Sequence, residues 1–251
     1  MSGHNKWSSI KHKKGAKDKK RAKIFTKLNK EITVAARMGG GDPGGNPRLR
    51  LALQNARSNN MPRDNIERAI KKGTGELEGV SYEELTYEGY GPSGVAILVQ
   101  ALTDNTNRTV SEVRSVFTKR GGSLGAPGSV AWMFEEKGLI SVSAQTASFD
   151  AIFEAAVEAG AEDVQESGDT YQILTDRTEL YNVSAALEES EINAQEARLA
   201  QIPSNVVECE DADMAQRILN LIDALEDLDD VQEVWANFDI SDSVAEQLGG
   251  G

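Results

Sequence analysis

Nine of the first 23 residues are basic: Lys6, Lys11, Lys13, Lys14, Lys17, Lys19, Lys20, Arg21 and Lys23. Ammonium groups at that density do one kind of chemistry well. They neutralise phosphates and release counterions, which gives affinity with little sequence information. If about six phosphates are engaged, the log–log slope of affinity against salt on duplex DNA is about −5. Lysine outnumbers arginine here, and arginine's planar fork is the better reader of guanine, so the segment points to backbone binding more than base readout. His4 and His12 add titratable donors beside phosphate. Trp7 has two uses open to it: stacking on a base, or folding back with Ile10 onto neighbouring helices. The plain alternative is a solvated tail that aids solubility. A chain of net charge −13 gains none from a patch of opposite sign, which makes that the weaker reading.

Other constellations carry less. Gly39–Gly44 formally matches G-x-G-x-x-G, but a dinucleotide site needs a strand before it and a helix after. Here a helix precedes and Pro43 sits inside, so a turn is expected. Gly121–Gly128 lacks the Lys-Ser/Thr of a nucleotide loop and begins where a helix must stop, leaving its backbone amides as a minor contact surface. Asp223–Asp230 holds five acids in eight residues. Met214, Ile218, Leu221, Leu225 and Leu228 recur there at helical spacing, so a solvated helix face is expected in place of a calcium loop. Both histidines lie in the first dozen residues and Cys209 stands alone. No zinc cluster, disulfide or histidine general base follows from that inventory. No catalytic residue, metal, cofactor or small-molecule substrate is expected.

The total of 27 Lys and Arg against 40 Asp and Glu hides a division. Residues 1–72 hold 19 basic and five acidic side chains, net +14, whereas residues 73–251 hold eight and 35, net −27. One part is built for a polyanion and the other is not; the acidic part suits basic proteins. No apolar run approaches the roughly 18 residues of a membrane span. No hydrophobic stretch follows the basic N-terminus, and the lone cysteine fits a reducing compartment, so a cytoplasmic location is expected.

These groups need elements to position them. Residues 1–22 read as a basic flexible arm. A helix begins at Ala16 or Lys20 and runs to Met38, with Ile24, Phe25, Leu28, Ile32 and Ala35 along its back. Lys20, Lys23, Lys27, Lys30 and Arg37 occupy a front wedge of about 100°. Asn46-Pro47 caps and opens a second helix to Arg57, and Pro62 opens a third that ends at Gly73. Leu49, Leu53, Ile66 and Ile70 supply the shared core of this helical domain, residues 23–79. Arg48, Arg50, Arg57, Arg63 and Arg68 are its candidates for specific contacts. The expected nucleic-acid contacts are therefore Lys6, Trp7, Lys11, His12, Lys13 and Lys14 in the arm. Lys17, Lys19, Lys20, Arg21, Lys23, Lys27, Lys30 and Arg37 follow on the first helix, with Arg48 and Arg50 on the second.

From Val80 the pattern turns to mixed strands and helices. Strands are expected at Glu84–Tyr90, Val95–Leu102, Ser129–Glu135, Leu139–Ala144, Asp163–Ser167, Thr170–Thr175, Arg198–Ile202, Asn205–Glu210 and Val231–Phe238. Helices are expected at Arg108–Arg120, Phe149–Ala159, Glu179–Glu189 and Ala212–Leu228. Residues 138–205 give strand-helix-strand-strand-helix-strand, the order of a ferredoxin-like sandwich. That segment reads as a domain inserted into a discontinuous one, residues 80–137 plus 206–251. The expectation is an α+β chain of three domains: three helices, then two α/β (ferredoxin-like) domains.

Several of these residues form longer motifs. Gly3-His4, Lys6-Trp7-Ser8, Ile10-Lys11-His12 and Lys23-Ile24-Phe25-Thr26-Lys27 open the series. Asp42-Pro43, Asn46-Pro47-Arg48-Leu49, Asn60-Met61-Pro62 and Ile66-Glu67-Arg68-Ala69-Ile70 continue it. Tyr87-Glu88-Gly89-Tyr90-Gly91-Pro92 and Gly128-Ser129-Val130-Ala131-Trp132 close it. Together they resemble the YebC/PmpR family over essentially the whole chain, with an arm richer in lysine. The resemblance implies three domains and a cytoplasmic, DNA-binding regulator of transcription with no defined catalytic set. Mitochondrial relatives act as translational activators and bacterial members resemble ribosome-associated factors. The alternative it implies is thus an RNA-binding translation factor on the ribosome.

Overall fold

In this computed structural model residues 17–249 are described. They fall into two compact units, 17–80 with 136–200 and 81–135 with 201–249.

The first unit starts with three helices, α1 (Lys17–Gly39), α2 (Pro47–Ser58) and α3 (Arg63–Thr74). Asn46 caps α2 by accepting from the Leu49 N–H at 3.0 Å, and Pro47 takes the first turn, where its missing N–H costs nothing. Ile32, Ala35, Leu49, Leu53, Met61 and Ala69 close the helical core.

The same unit holds β4 (Phe134–Ser143), α5 (Phe149–Glu158), β5 (Asp163–Ser167), β6 (Thr170–Asp176), α6 (Leu180–Glu189) and β7 (Ala194–Pro203). Their sheet order, β5-β6-β4-β7, is that of a ferredoxin-like domain. Ile140, Val142 and Ile173 on the strands pack against Ile152 and Ala156 of α5 and Val183 and Leu187 of α6. Strand β7 is an edge, and α2 covers part of it. The Asn55 side chain donates to the Ala197 carbonyl at 2.8 Å and accepts from its N–H at 3.0 Å, as a neighbouring strand would.

The second unit carries β1 (Glu83–Tyr90), β2 (Ala96–Thr103), α4 (Thr106–Lys119), β3 (Ser123–Leu124), β8 (Val207–Cys209), α7 (Ala212–Glu226), β9 (Val231–Ala236), β10 (Phe238–Ile240) and α8 (Asp242–Gly249). Its sheet runs β3-β1-β2-β9, with β8 and β10 as a separate parallel pair. Val113 and Phe117 of α4 join Ile218, Leu221 and Ile222 of α7 over Ile97, Val99 and Val234. The chain is α+β, with an N-terminal helical region followed by sheet domains.

Three expectations need correction. Ser129–Glu135 is not a strand: Ala131–Met133 form a 3-10 turn, and β4 starts at Phe134 and absorbs the expected Leu139–Ala144 strand. The expected strand Val231–Phe238 breaks at Asn237, whose side chain accepts from the Ala96 N–H at 2.6 Å. Asp230 does not lie on a solvated helix face. Helix α7 stops at Glu226, and Asp230, 2% exposed, accepts from Arg108 Nη2 and Thr109 Oγ1, each at 2.7 Å.

Candidate nucleic-acid interface

Helix α1 is the spine of the site. Lys17, Lys19 and Lys20 belong to its first turns. The expected contacts Lys6, Trp7, Lys11, His12, Lys13 and Lys14 lie outside the described residues. Arg21 is exposed, its guanidinium 5.3 Å above the Phe25 ring, a cation–π placement that steadies the head group on the helix surface. Lys23 and Lys27 follow at partial exposure. Arg37 is exposed in the last turn, where a cation meets the negative end of the helix dipole.

The amphipathic wedge does not run the length of the helix. Lys30, expected on the solvent side, is buried, as are Ile32, Thr33, Val34, Ala35 and Ala36 around it. From Lys30 to Ala36 only Glu31 keeps partial exposure, and a two-faced periodicity no longer describes that stretch. Ile24, expected on the apolar back, is exposed instead. Among the described residues, the exposed or part-exposed cations of α1 are thus Arg21, Lys23 and Lys27 in its N-terminal half and Arg37 in its last turn.

Arg48 and Arg50 hold the scaffold. Arg48 makes a two-pronged pair with Glu31, Nε to Oε1 at 2.7 Å and Nη2 to Oε2 at 3.0 Å, tying α2 to α1. Arg50 donates from Nε to the Pro43 carbonyl and from Nη2 to the Gly44 carbonyl, both at 2.8 Å, and its guanidinium lies 4.0 Å over the Tyr181 ring. Asn46 secures the same loop from below, donating to the Ala35 carbonyl at 2.7 Å and the Gly40 carbonyl at 2.9 Å. The glycine run between α1 and α2 is a clamped turn: its carbonyls take the Asn46 and Arg50 side chains, and its Gly44 N–H is taken by the Asp42 carboxylate at 3.0 Å. Arg57, Arg63 and Arg68 are exposed, with Arg63 paired to Glu67 one turn on at 2.8 Å.

The second glycine-rich loop closes on a carboxylate from 40 residues away, and sequence reasoning missed how. Glu88, 7% exposed at the end of β1, accepts the Gly128 N–H on Oε1 at 2.6 Å. Its Oε2 accepts the Val130 and Ala131 N–H groups, each at 2.7 Å. Burial pushes the Glu88 carboxyl up, but these three donors outweigh it and hold it below its ordinary value. Of the amides in the Gly121–Gly128 run, that of Gly128 is occupied by this carboxylate, and those of Gly121, Gly122 and Gly125 are held by the carbonyls of Thr118, Phe117 and Glu88. Strand alternation carried no signal of this closure: Glu88 shares its face of β1 with the exposed Glu84 and Thr86.

Charge follows the same division. Residues 17–80 hold 15 basic and seven acidic side chains, residues 136–200 three and 14, and residues 81–135 with 201–251 five and 19. Among the described residues no cluster of three or more His, Cys, Asp or Glu could hold a metal ion, and no helix is long and apolar enough to cross a membrane.

The arrangement defines a class: a three-domain α+β protein whose cationic helical domain precedes acidic, sheet-bearing ones. Residues 5–76 match the TACO1/YebC protein N-terminal domain, and residues 82–238 match the TACO1/YebC second and third domain. The chain belongs to the TACO1/YebC family. A protein of Geobacter sulfurreducens named "Probable transcriptional regulatory protein" is 59% identical over 248 residues, 99% of this chain and 100% of that one. One of the same designation from Fusobacterium nucleatum is 54% identical over the same shares. The crystal structure of a conserved hypothetical protein from Aquifex aeolicus superposes with a TM-score of 0.85 at 52% identity, covering 90% of this chain and 93% of that one.

Proposed function

We propose that this chain is a non-enzymatic, cytoplasmic regulator of transcription that grips the phosphate backbone of DNA with its N-terminal domain. The observation that carries the reading is the excess of 15 basic over seven acidic side chains in residues 17–80, against a strongly acidic remainder. Relatives more than half identical bear the designation of probable transcriptional regulators. In this reading Lys6, Lys11, Lys13 and Lys14 of the arm, with His12 as a further donor and Trp7 as a stacking ring, reach the duplex first. Lys17, Lys19, Lys20, Arg21, Lys23, Lys27 and Arg37 extend the grip along α1. Lys30, Arg48 and Arg50 set the shape of the domain that presents them. The acidic domains stay off the polyanion by repulsion and meet basic proteins.

The test is duplex-DNA affinity as a function of salt. A log–log slope of about −5 is expected. Deleting residues 1–23 is expected to abolish most of that affinity while the α/β domains stay folded. Co-sedimentation with ribosomes that survives moderate salt, without retention on duplex DNA, overturns the transcriptional reading.

A further inference from the structure

Trp132 is 69% exposed, yet it stands on a turn whose amides are held by the buried carboxylate of Glu88. The three hydrogen bonds donated to Glu88 fix the peptides of Gly128, Val130 and Ala131 directly before it. The Ser129 carbonyl accepts from Tyr90 Oη at 3.0 Å and from the indole Nε1 of Trp132 itself at 3.2 Å. Beneath the turn, Val130 and Phe134 are buried with Leu98 and Trp235. The ring is therefore presented, not loose, and its one polar donor is turned back onto its own backbone. What it offers outward is an aromatic face.

The surroundings say what that face would take. Ala126, Pro127 and Ala131 beside it are exposed and uncharged. The Ser204 N–H donates to the Met133 carbonyl at 2.8 Å, which brings up a chain carrying exposed Val206 and then Glu208, Glu210 and Asp211. The whole unit, residues 81–135 with 201–251, holds five basic and 19 acidic side chains. A nucleic acid stacking a base on Trp132 would bring its phosphates against that field. An arginine or lysine suffers no such repulsion, and indole is the best of the side-chain rings at holding a cation over its face.

We propose that Trp132, on its Glu88-locked turn, is the anchor of a docking site for a basic protein segment, which seats an arginine or lysine over the indole. This deepens the reading that the acidic domains meet basic proteins and does not depend on the phosphate grip. The test uses the full chain and, as probe, a dodecapeptide of alternating arginine and glycine, titrated at about 0.15 M salt, where long-range attraction is screened. Trp132→Ala is expected to weaken the peptide about threefold. Trp132→Phe, which keeps a ring, is expected to recover part of the loss. Both variants should keep the parent's urea midpoint, because the ring is exposed. Equal peptide affinity in the parent and Trp132→Ala overturns the proposal. So does a loss of single-stranded oligonucleotide binding in Trp132→Ala with the peptide unaffected, which would make the ring a base-stacking plate. Failure of the phosphate grip reads separately, as absent salt-dependent duplex binding in all three proteins.

Discussion

The two glycine-rich loops, Gly39–Gly45 and Gly121–Gly128, have similar composition and are wired to the rest of the chain by different side chains. In the first, Asn46 and Arg50 donate to the carbonyls of Gly40, Pro43 and Gly44. In the second, the carboxylate of Glu88 accepts from the amides of Gly128, Val130 and Ala131. A loop whose amides are free attracts anions; one whose amides already hold a carboxylate cannot take a second. The phosphate-loop reading fails for both, because the Gly44 and Gly128 N–H groups each already hold a carboxylate, that of neighbouring Asp42 in the first loop and that of distant Glu88 in the second. The first loop turns its acceptors to the protein and serves a cationic domain. The second satisfies its donors internally and presents Trp132.

Breaking the second loop should have the largest effect. Glu88→Ala leaves three buried or half-buried N–H groups without their acceptor, and charge-assisted bonds are the stronger kind. A loss of about 3 to 5 kcal/mol is expected, read as a fall in the urea midpoint. The same carboxylate gives a pH signature. Its folded value lies below the ordinary 4.5, so its stabilisation is whole above 4.5, declines below it, and is gone once the pH has fallen through the folded value. Glu88→Gln should flatten that acid limb of the stability profile. An unchanged limb would mean that the carboxylate is not held as described. DNA affinity should not move in either variant.

Breaking the first loop should cost less. Asn46 makes three hydrogen bonds at a buried helix cap, and Asn46→Ala is expected to cost about 2 kcal/mol. Arg50→Ala removes two loop bonds and the stack on Tyr181, at about 1 kcal/mol. Unlike the Glu88 variants, both should weaken duplex binding on the proposed reading, since the loop braces the end of α1, the helix assigned the grip. A variant that loses stability with no change in DNA affinity would separate this loop from the grip.

Where bonding partners lie close in sequence, the fold was legible. Asn46-Pro47 opens α2 at its observed start, and the βαββαβ order of residues 138–205 appears as the sheet β5-β6-β4-β7. Illegible features depend on distant partners. Val130-Ala131-Trp132 has the composition of a strand, yet Glu88, some 40 residues away, takes its amides and bends it into a turn. Lys30 follows the cationic repeat of α1, but tertiary enclosure overrides the period. Asp230 ends an acidic run that looks solvated, and only Arg108, Thr103 and Thr109 show it to be an anchor. The charge division at residue 72 needed no partner at all, being a count along the chain, whereas the intramolecular partners of Arg48 and Arg50 appear only in the fold.

A matched pair of substitutions isolates wiring from backbone conformation. Gly40 and Gly128 both have φ of 84°, and a Cβ added at either meets nothing within 4 Å. Gly40→Ala and Gly128→Ala therefore impose the same left-handed strain, about 1 kcal/mol, with no steric term on top. The difference is what each peptide carries. Gly40 offers a carbonyl to the neutral amide of Asn46, while Gly128 offers an N–H to the Glu88 carboxylate. If each loop relaxes freely, the two urea midpoints fall together. If the carboxylate fixes its donors more rigidly, Gly128→Ala relaxes less and falls further, and Glu88→Gln in the same chain should narrow the gap. A larger loss at Gly40 would reverse the order of rigidity drawn from the hydrogen bonds.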